Sequence, residues 1–432
     1  ASTPVSVAQS EERILEFWKR NDIFAKSLNK NRGKDRYVFY DGPPFATGTP
    51  HYGHILASAI KDAVPRYQTM RGKFVARRWG WDTHGLPIEH IVERNLGISG
   101  KQEIEQIGIE RFNVTAREQV LKYVGEWRKT VERMARWVDF DGSYKTMDND
   151  YIESVWWAFG QLHAKGLVYE GTRVLPYCPR CETPVAQSEI AMDNSYKDIT
   201  DISVYVRFSP IDDSAPLLVW TTTPWTLAGN TALAINPDLT YVEVEYNAIN
   251  EIPERLILAK ERLEVLGPKK GGRSGTDHWE LLREVPATEL IGKRYRPLFP
   301  YFDTPDLKNR ENAWQIFADS FVTSTDGTGI VHISPAFGED DLRMSQAHNF
   351  PGIWHVTPQG TFTEAVADFA GLTAKPKDDH QRTDIEIIRY LAEHRLLFAK
   401  EKIVHSYPHC FRCATPLYYY ALSAWFVSIQ EA

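Results

Sequence analysis

At 432 residues, with a formal net charge of −7, 43% hydrophobic and 25% charged residues, the chain is too long for one ordinary core and composed like a soluble globular protein of two or three domains. Thirteen Trp and twenty Tyr exclude a disordered polymer, and no uninterrupted apolar run is long enough to span a membrane. The opening ASTPVSVAQSEERILEFWKR lacks the apolar stretch and cleavage site of a signal peptide and has no initiator Met, so a processed or clipped start is expected.

In chain order, Arg36–Tyr40 (RYVFY) reads as a short buried strand, followed by a Gly/Pro-rich loop and an apolar helix pattern over His54–Met70. Lys61–Arg78, with Asp62 its one acid, is a local basic run, readable equally as a solvated face or a phosphate-facing one. Lys73–Trp79 is a second strand candidate, and long amphipathic helices follow over Ile109–Trp137 and Tyr151–Lys165, the latter stopped by Gly166. Strand, glycine-rich loop, helix and strand in this order predict an α/β fold with a parallel sheet and its ligand at the loop. Beyond Cys181 the texture becomes β-rich, with short runs at Ser203–Phe208, Pro216–Thr222, Thr231–Ile235, Thr240–Tyr246, Arg255–Ala259, Phe317–Thr323 and Gly329–Ser334. The aromatic stretch Thr415–Ile429 is expected to return to the first domain. The division expected is 1–177, 178–413 with a β-rich core over about 182–405, and 414–432.

Three groups of residues carry chemistry. In YDGPPFATGTPHYGH (Tyr40–His54), His51 and His54 flank Gly53 where a loop becomes a helix. A helix N-terminus suits a phosphate chain, and imidazoles there can donate hydrogen bonds without a permanent charge. Taken bare, H-x-G-H is equally a pair of core or surface histidines. WTTTPWTLAGN brings Thr221, Thr222, Thr223 and Thr226 together, either as a strand end or as a hydroxyl-lined pocket. DGTGIVHISPAFGEDD sets His332 a short turn before Asp341, a turn and strand with a buried His or half of a hydrolytic site. No activated Ser or Cys accompanies them, which favours direct attack by water. All four cysteines lie in two C-x-x-C pairs, Cys178/Cys181 and Cys410/Cys413, flanking the β-rich stretch. That pattern suits tetrahedral zinc better than a redox pair or a disulfide framework.

The G-P-P-x-x-x-G loop before H-Y-G-H resembles the H-I-G-H signature of class I aminoacyl-tRNA synthetases, with Tyr52 replacing the Ile. GWDTHGLPIE (Gly80–Glu89) is similar to the isoleucyl branch rather than to leucyl G-W-D-A-F-G-L-P or valyl G-x-D-H-A-G-I, and TPLYYYALSAWFV continues the match. The resemblance implies a Rossmann-type activation fold, here its first half, with an inserted β-rich editing domain. It implies that His51, Gly53 and His54 contact ATP with its Mg2+, that Pro43 borders the isoleucine pocket, that Asp82 holds the substrate ammonium and that Trp425 walls the aliphatic slot. Without it, Asp82 reads as an Asx turn and Trp425 as core. It further implies that an apolar slot leaks valine, one methylene being worth about 1–3 kcal/mol, a magnitude that is itself taken from this enzyme family. Mischarged Val-tRNA-Ile would then be hydrolysed in a pocket where Asp341 grips the ammonium as an exposed cleft carboxylate. The Thr run and Asn230 would stand opposite, and His332 would orient water and ribose. A structural zinc, tRNA-Ile as partner, a monomer and a cytoplasmic location complete what it implies. The K-M-S-K-S loop and anticodon-binding domain of the family do not occur between Ala1 and Ala432, so weak adenylate formation is expected from this stretch, with hydrolysis retained. A stand-alone deacylase and a zinc-stabilised tRNA-binding module are the alternatives.

Overall fold

In a computed structural model that describes residues 6–45, 47–192, 195–247, 252–267 and 278–431, the chain folds as two units, residues 1–168 with 427–432, and residues 169–426. The first unit contains α1 (Val7–Arg20), α2 (Ile23–Lys30), α3 (Tyr52–Met70), β1 (Arg78–Trp81), α4 (Leu86–Leu96), α5 (Lys101–Ile107), α6 (Ile109–Val120), α7 (Val124–Arg133), β2 (Asp139–Lys145) and α8 (Asn149–Ala164). Its core is aromatic. Trp79 stacks on Phe140 with centroids 4.5 Å apart, and Trp81 meets Trp127 edge-on at 5.8 Å. Such rings contribute large buried areas from few residues. β1 and β2 run parallel, and isolated parallel bridges join Arg36 to Phe74 and Phe45 to Asp82. Parallel partners need a crossover, which α3 and the helices α4–α7 supply.

The second unit begins within β3 (Val168–Cys178) and continues through β4 (Thr183–Pro184), α9 (Gln187–Ile190), β5 (Tyr196–Phe208), β6 (Leu217–Thr221), β7 (Ala232–Ile235), β8 (Tyr241–Asn247), β9 (Glu254–Ala259), β10 (His278–Val285), α10 (Ala287–Leu290), β11 (Gln315–Ala318), β12 (Ile330–Ile333), α11 (Glu339–His348), α12 (Arg382–Glu393), β13 (Leu397–Pro408) and β14 (Tyr418–Val427). A large sheet in the order β10-β8-β9-β6-β12-β7-β11 branches at β6, which also pairs with β5, and β5 with β13. One edge of β6 is shared: Leu217 pairs with Ile257 of β9, and Trp220 with Val331 of β12. The sheet therefore opens at the C-terminal end of β6, where the Thr run begins. β14, β3 and β4 form a second, small sheet.

Several expectations are corrected. RYVFY is extended but pairs only through Arg36, and Val38 and Tyr40 are exposed. Its pairing dies out toward Pro43 and Pro44, which lack the N–H a ladder needs. The second strand lies at Arg78–Trp81, later than Lys73–Trp79. The helix expected over Ile109–Trp137 is two helices. The turn after Val120 lets Phe112, Val120, Trp127 and Val131 all reach one core. The strand expected at Phe317–Thr323 ends at Ala318, while β10 and β13 carried too many charges to stand out. Most of the basic run is spent internally. Lys61 pairs with Asp41, Arg66 with Asp62 at 2.6 Å and Lys73 with Asp35 at 2.9 Å, and Arg77 is buried. Among the described residues no helix is long and apolar enough to cross a membrane.

The turn before β12 depends on Gly329, whose φ is +73° and where an added Cβ would stand 2.4 Å from Ala259 Cβ. Gly329→Ala is expected to destabilise the second unit by about 1–3 kcal/mol, since both the backbone and the packing refuse the methyl. Urea denaturation followed by tryptophan fluorescence would show it as a lowered midpoint; an unchanged midpoint would contradict this packing.

Candidate functional site

In the first unit, His51 is the N-cap of α3. Its Nδ1 accepts from the Gly53 N–H at 3.1 Å, and its own N–H donates to His54 Nδ1 at 3.3 Å. With both Nδ1 atoms acting as acceptors, the proton of each neutral ring sits on Nε2. The rings stack 3.7 Å apart. Partial burial, then His51 and Lys61, hold the His54 pKa below its ordinary value, so His54 presents an N–H donor rather than a cation at a helix N-terminus. A Cβ at Gly53 would stand 3.0 Å from the His51 ring, so a larger residue here would press on that imidazole.

The loop before these histidines is tied down twice. Arg136 and Lys61 both engage Asp41, and the Asp82 N–H donates to Pro44 O at 3.0 Å. Pro43 and Asp82 are thereby brought to one place in the first unit. Asp82 Oδ1 is 3.5 Å from the His84 N–H, too long for a firm Asx turn. Thr83, bonded to Thr146 at 2.8 Å and to the Met147 N–H at 3.0 Å, anchors the segment. Trp425 lies on β14 of the other unit with its indole 62% exposed, so it is not core.

The second unit contains the more complete constellation. The Thr run at the end of β6 and the stretch from Asp326 to Asp341 line a single cavity of about 360 Å3, with Thr221, Thr222, Thr223, Thr226, His332 and Asp341 all in its wall. Trp220, Phe321 and Ser334 are also in the wall; Trp220 and Ser334 lie inside the two motifs, where residue order assigned them no role. Asn230 does not line the cavity. It is buried behind His332, where its Oδ1 accepts from Tyr295 O–H at 2.7 Å and its Nδ2 donates to Ala232 O at 2.9 Å. This fixes the amide, so Nδ2 also donates to His332 Nδ1 at 3.1 Å. The His332 proton is then on Nε2, which donates to Thr226 Oγ1 at 2.9 Å. Thr226 bonds on to Thr223 Oγ1 at 2.9 Å, and Thr223 to Thr221 Oγ1 at 3.2 Å. Thr222 is half-buried in the wall with its hydroxyl outside this chain of bonds.

Two expectations change on this geometry. His332 cannot itself orient water, because both ring nitrogens are engaged; burial pushes its pKa down to about 3, so it is a neutral member of the wall that orders the threonines. Asp341, expected as an exposed carboxylate, is half-buried in the first turn of α11. Its Oδ2 accepts from the Ser334 N–H at 2.7 Å. Desolvation dominates, and its pKa is pushed up to about 7.

The four cysteines converge in a buried cluster with Val185, Ile190 and Leu417. Their sulfur atoms all lie within 4.8 Å of one another, and Cys413 Sγ is 3.5 Å from Cys178 Sγ and 3.7 Å from Cys181 Sγ. No disulfide joins them. Edges near this length are those of a tetrahedron with metal–sulfur bonds of about 2.3 Å, so the donor set fits a thiolate-bound metal.

The raised Asp341 pKa has a stability consequence. Its contribution to the folded state is fully present below 3.8 and lost as pH rises through about 7. Carbon-13 NMR of the labelled carboxyl should titrate with a midpoint near 7; a midpoint in the ordinary carboxylate range would mean that water reaches the group.

The class I tRNA synthetase model for the I, L, M and V group matches residues 13–432. The chain is 43% identical over 452 residues to an isoleucine--tRNA ligase of Treponema denticola, covering 99% of this chain and 40% of that protein. It is 46% identical over 430 residues to isoleucine--tRNA ligase 2 of Pseudomonas fluorescens, covering 99% and 39%. An isoleucine--tRNA ligase of Chlamydia muridarum is 44% identical over 427 residues, again 99% and 39%. The chain thus spans about two fifths of the length of these relatives, and it belongs to the class I tRNA synthetase family of the I, L, M and V group.

Proposed function

We propose that this chain is the part of an isoleucine--tRNA ligase that contributes to ATP-dependent activation of isoleucine and hydrolyses Val-tRNA-Ile. The observation that carries the hydrolytic half is the meeting of two distant segments, the Thr run and Asp326–Asp341, around one cavity of about 360 Å3. A volume of that order holds a small ligand, here the terminal adenosine with its valyl ester. The Asp341 carboxylate would take the ester's ammonium by a charge-assisted hydrogen bond, and the incoming cation would favour its ionised form. Water attacks the carbonyl carbon, the bond to the ribose oxygen breaks, that oxygen takes a proton from the water and leaves as the ribose hydroxyl, and valine leaves as the carboxylic acid. Thr222, which lines the cavity outside the internal chain of hydroxyls, would meet water or ribose. Asp341 corrects its own test: because it is half-buried and bonded to Ser334, Asp341→Asn removes the charge with less damage than Ala. The chain should hydrolyse Val-tRNA-Ile faster than Ile-tRNA-Ile by roughly 10–200-fold, and Asp341→Asn should lower the valyl rate by about 10–100-fold. Equal rates for the two esters would end the sieve.

For activation, the reading rests on His51 and His54 as Nε2–H donors to ATP bound with Mg2+, with Pro43 and Asp82 beside isoleucine. For the four cysteines we propose zinc, whose closed d-shell accepts the tetrahedral thiolate set without redox chemistry. Bound there it would pin Cys178 and Cys181 to Cys410 and Cys413, closing the ends of the β-rich segment. Elemental analysis of unchelated protein should give one zinc per chain, and Cys413→Ser should lower both the zinc content and the thermal midpoint. Metal-free protein of undiminished stability would refute it. A cytoplasmic monomer acting on tRNA-Ile is the setting this function implies.

A further inference from the structure

Both backbone groups of Trp225 are held by buried ionisable side chains from other elements. Asp384 Oδ1, in the first turn of α12, accepts the Trp225 N–H at 3.2 Å, and His355 Nε2 donates to Trp225 O at 3.0 Å. Trp225 stands between Thr223 and Thr226, so this clamp acts on the 3-10 turn Pro224–Gly229 that presents the pocket hydroxyls. Asp384 is 0% exposed. A lone carboxylate there would be costly, and Lys375, 2% exposed, lies 3.7 Å from its Oδ2 while bonding both oxygens of Asp201 at 2.8 Å. Asp201 in turn meets His405 Nε2 at 2.9 Å and His380 Nε2 at 3.4 Å. A buried ion network is weak evidence for stability, because well-packed apolar residues do as well or better. What apolar residues cannot do is accept the Trp225 N–H.

We propose that Asp384 is a positioning residue for the hydrolytic pocket: by fixing the Trp225 peptide it sets Thr226 Oγ1 on His332 and so aligns the hydroxyl chain. The inference rests on the proposed reading of this cavity as the hydrolytic site. Asp384 touches no cavity atom and acts only through the turn. Lys375 keeps Asp201 as a partner if Asp384 is lost, so Asp384→Ala leaves no orphaned lysine, only an unsatisfied N–H and a displaced turn.

The test uses the whole chain and Val-tRNA-Ile. Asp384→Ala should lower kcat by roughly tenfold with KM within about twofold, because the anchor at Asp341 is untouched. Asp384→Asn keeps an oxygen acceptor and should stay within about threefold of the parent. In a Thr226→Ala background Asp384→Ala should have no further effect on kcat, since the two act in series. A loss of equal factor in both backgrounds, or Asn as damaging as Ala, overturns the proposal. Should Asp384→Ala fail to fold by circular dichroism, Asp384→Glu decides: with the carboxylate one methylene too far out, a parental kcat overturns it and a fall supports it. Nitrogen-15 signals of His332 give a readout independent of hydrolysis, Nε2-protonated in the parent and in Asp384→Asn and displaced in the Ala or Glu variant. Unmoved signals in that variant would overturn the inference. A parent that leaves Val-tRNA intact would remove the functional reading alone, and the His332 signals would still decide this one.

Discussion

His332 is buried among polar partners with no acid close enough to keep it protonated, and the pocket's order follows from its neutrality. A neutral imidazole has one donor and one acceptor. Asn230, locked by Tyr295 and Ala232, takes the acceptor, which leaves the donor for Thr226. From Thr226 the bonds run to Thr223 and on to Thr221. Hydroxyls rotate freely, so a row of threonines alone would have no preferred direction. The Thr223 carbonyl supplies one by taking the Thr226 O–H at 2.8 Å, which leaves Thr226 Oγ1 to accept from His332 and from the Thr223 O–H. Each such bond adds only about 1 kcal/mol net, but leaving a buried donor unmatched costs about 1–3 kcal/mol, so the row holds as a unit or not at all.

Burial acts on two groups of the wall in opposite senses. It drives His332 to about 3 and Asp341 to about 7, because desolvation always disfavours the charged form. Near neutral pH the wall therefore combines a neutral imidazole with an Asp341 carboxyl close to its midpoint, and Asp326 lines the same cavity. On the proposed reading, the ester's ammonium shifts Asp341 toward its ionised form where the substrate is bound.

Much of this was legible from residue order. The threonine run, the His332–Asp341 pair and the cysteine knuckles are local patterns, and each lies where its pattern suggested. What a local pattern does not contain is direction and depth. Asn230 looked like a wall residue because it ends the same motif, but the 3-10 turn rotates it behind the imidazole. Asp341 looked exposed because Glu339 and Asp340 precede it; the helix start instead turns it inward against Ser334. Tyr295, His355 and Asp384 had no signal at all, since their roles come from contacts across 65, 130 and 159 residues. Strands failed for similar reasons. β13 carries Lys400, Glu401 and Lys402 in a row, all exposed, and none of its residues is fully buried, so a periodicity rule tuned to buried faces passes over it.

The two units use the same side chain in contrasting ways. In His51 and His54 the Nδ1 atom is satisfied by backbone N–H groups of the helix start, which leaves Nε2–H as the ring's donor. In His332 the Nδ1 atom is satisfied by a side-chain amide, and Nε2–H is spent inward on a hydroxyl. Both arrangements fix a tautomer through Nδ1, and they differ only in what Nε2 meets. On the proposed reading, the first serves phosphate oxygens, where charge must be stabilised as it moves. The second leaves no ring nitrogen for a ligand, so in the proposed hydrolysis water would be aimed by hydroxyls rather than deprotonated by a base. Were that pocket the hydrolytic site proposed above, a histidine with a free nitrogen there would be a general base exposed to every ester that entered, cognate or not; with both nitrogens occupied, selection would fall to the shape of the wall and to Asp341.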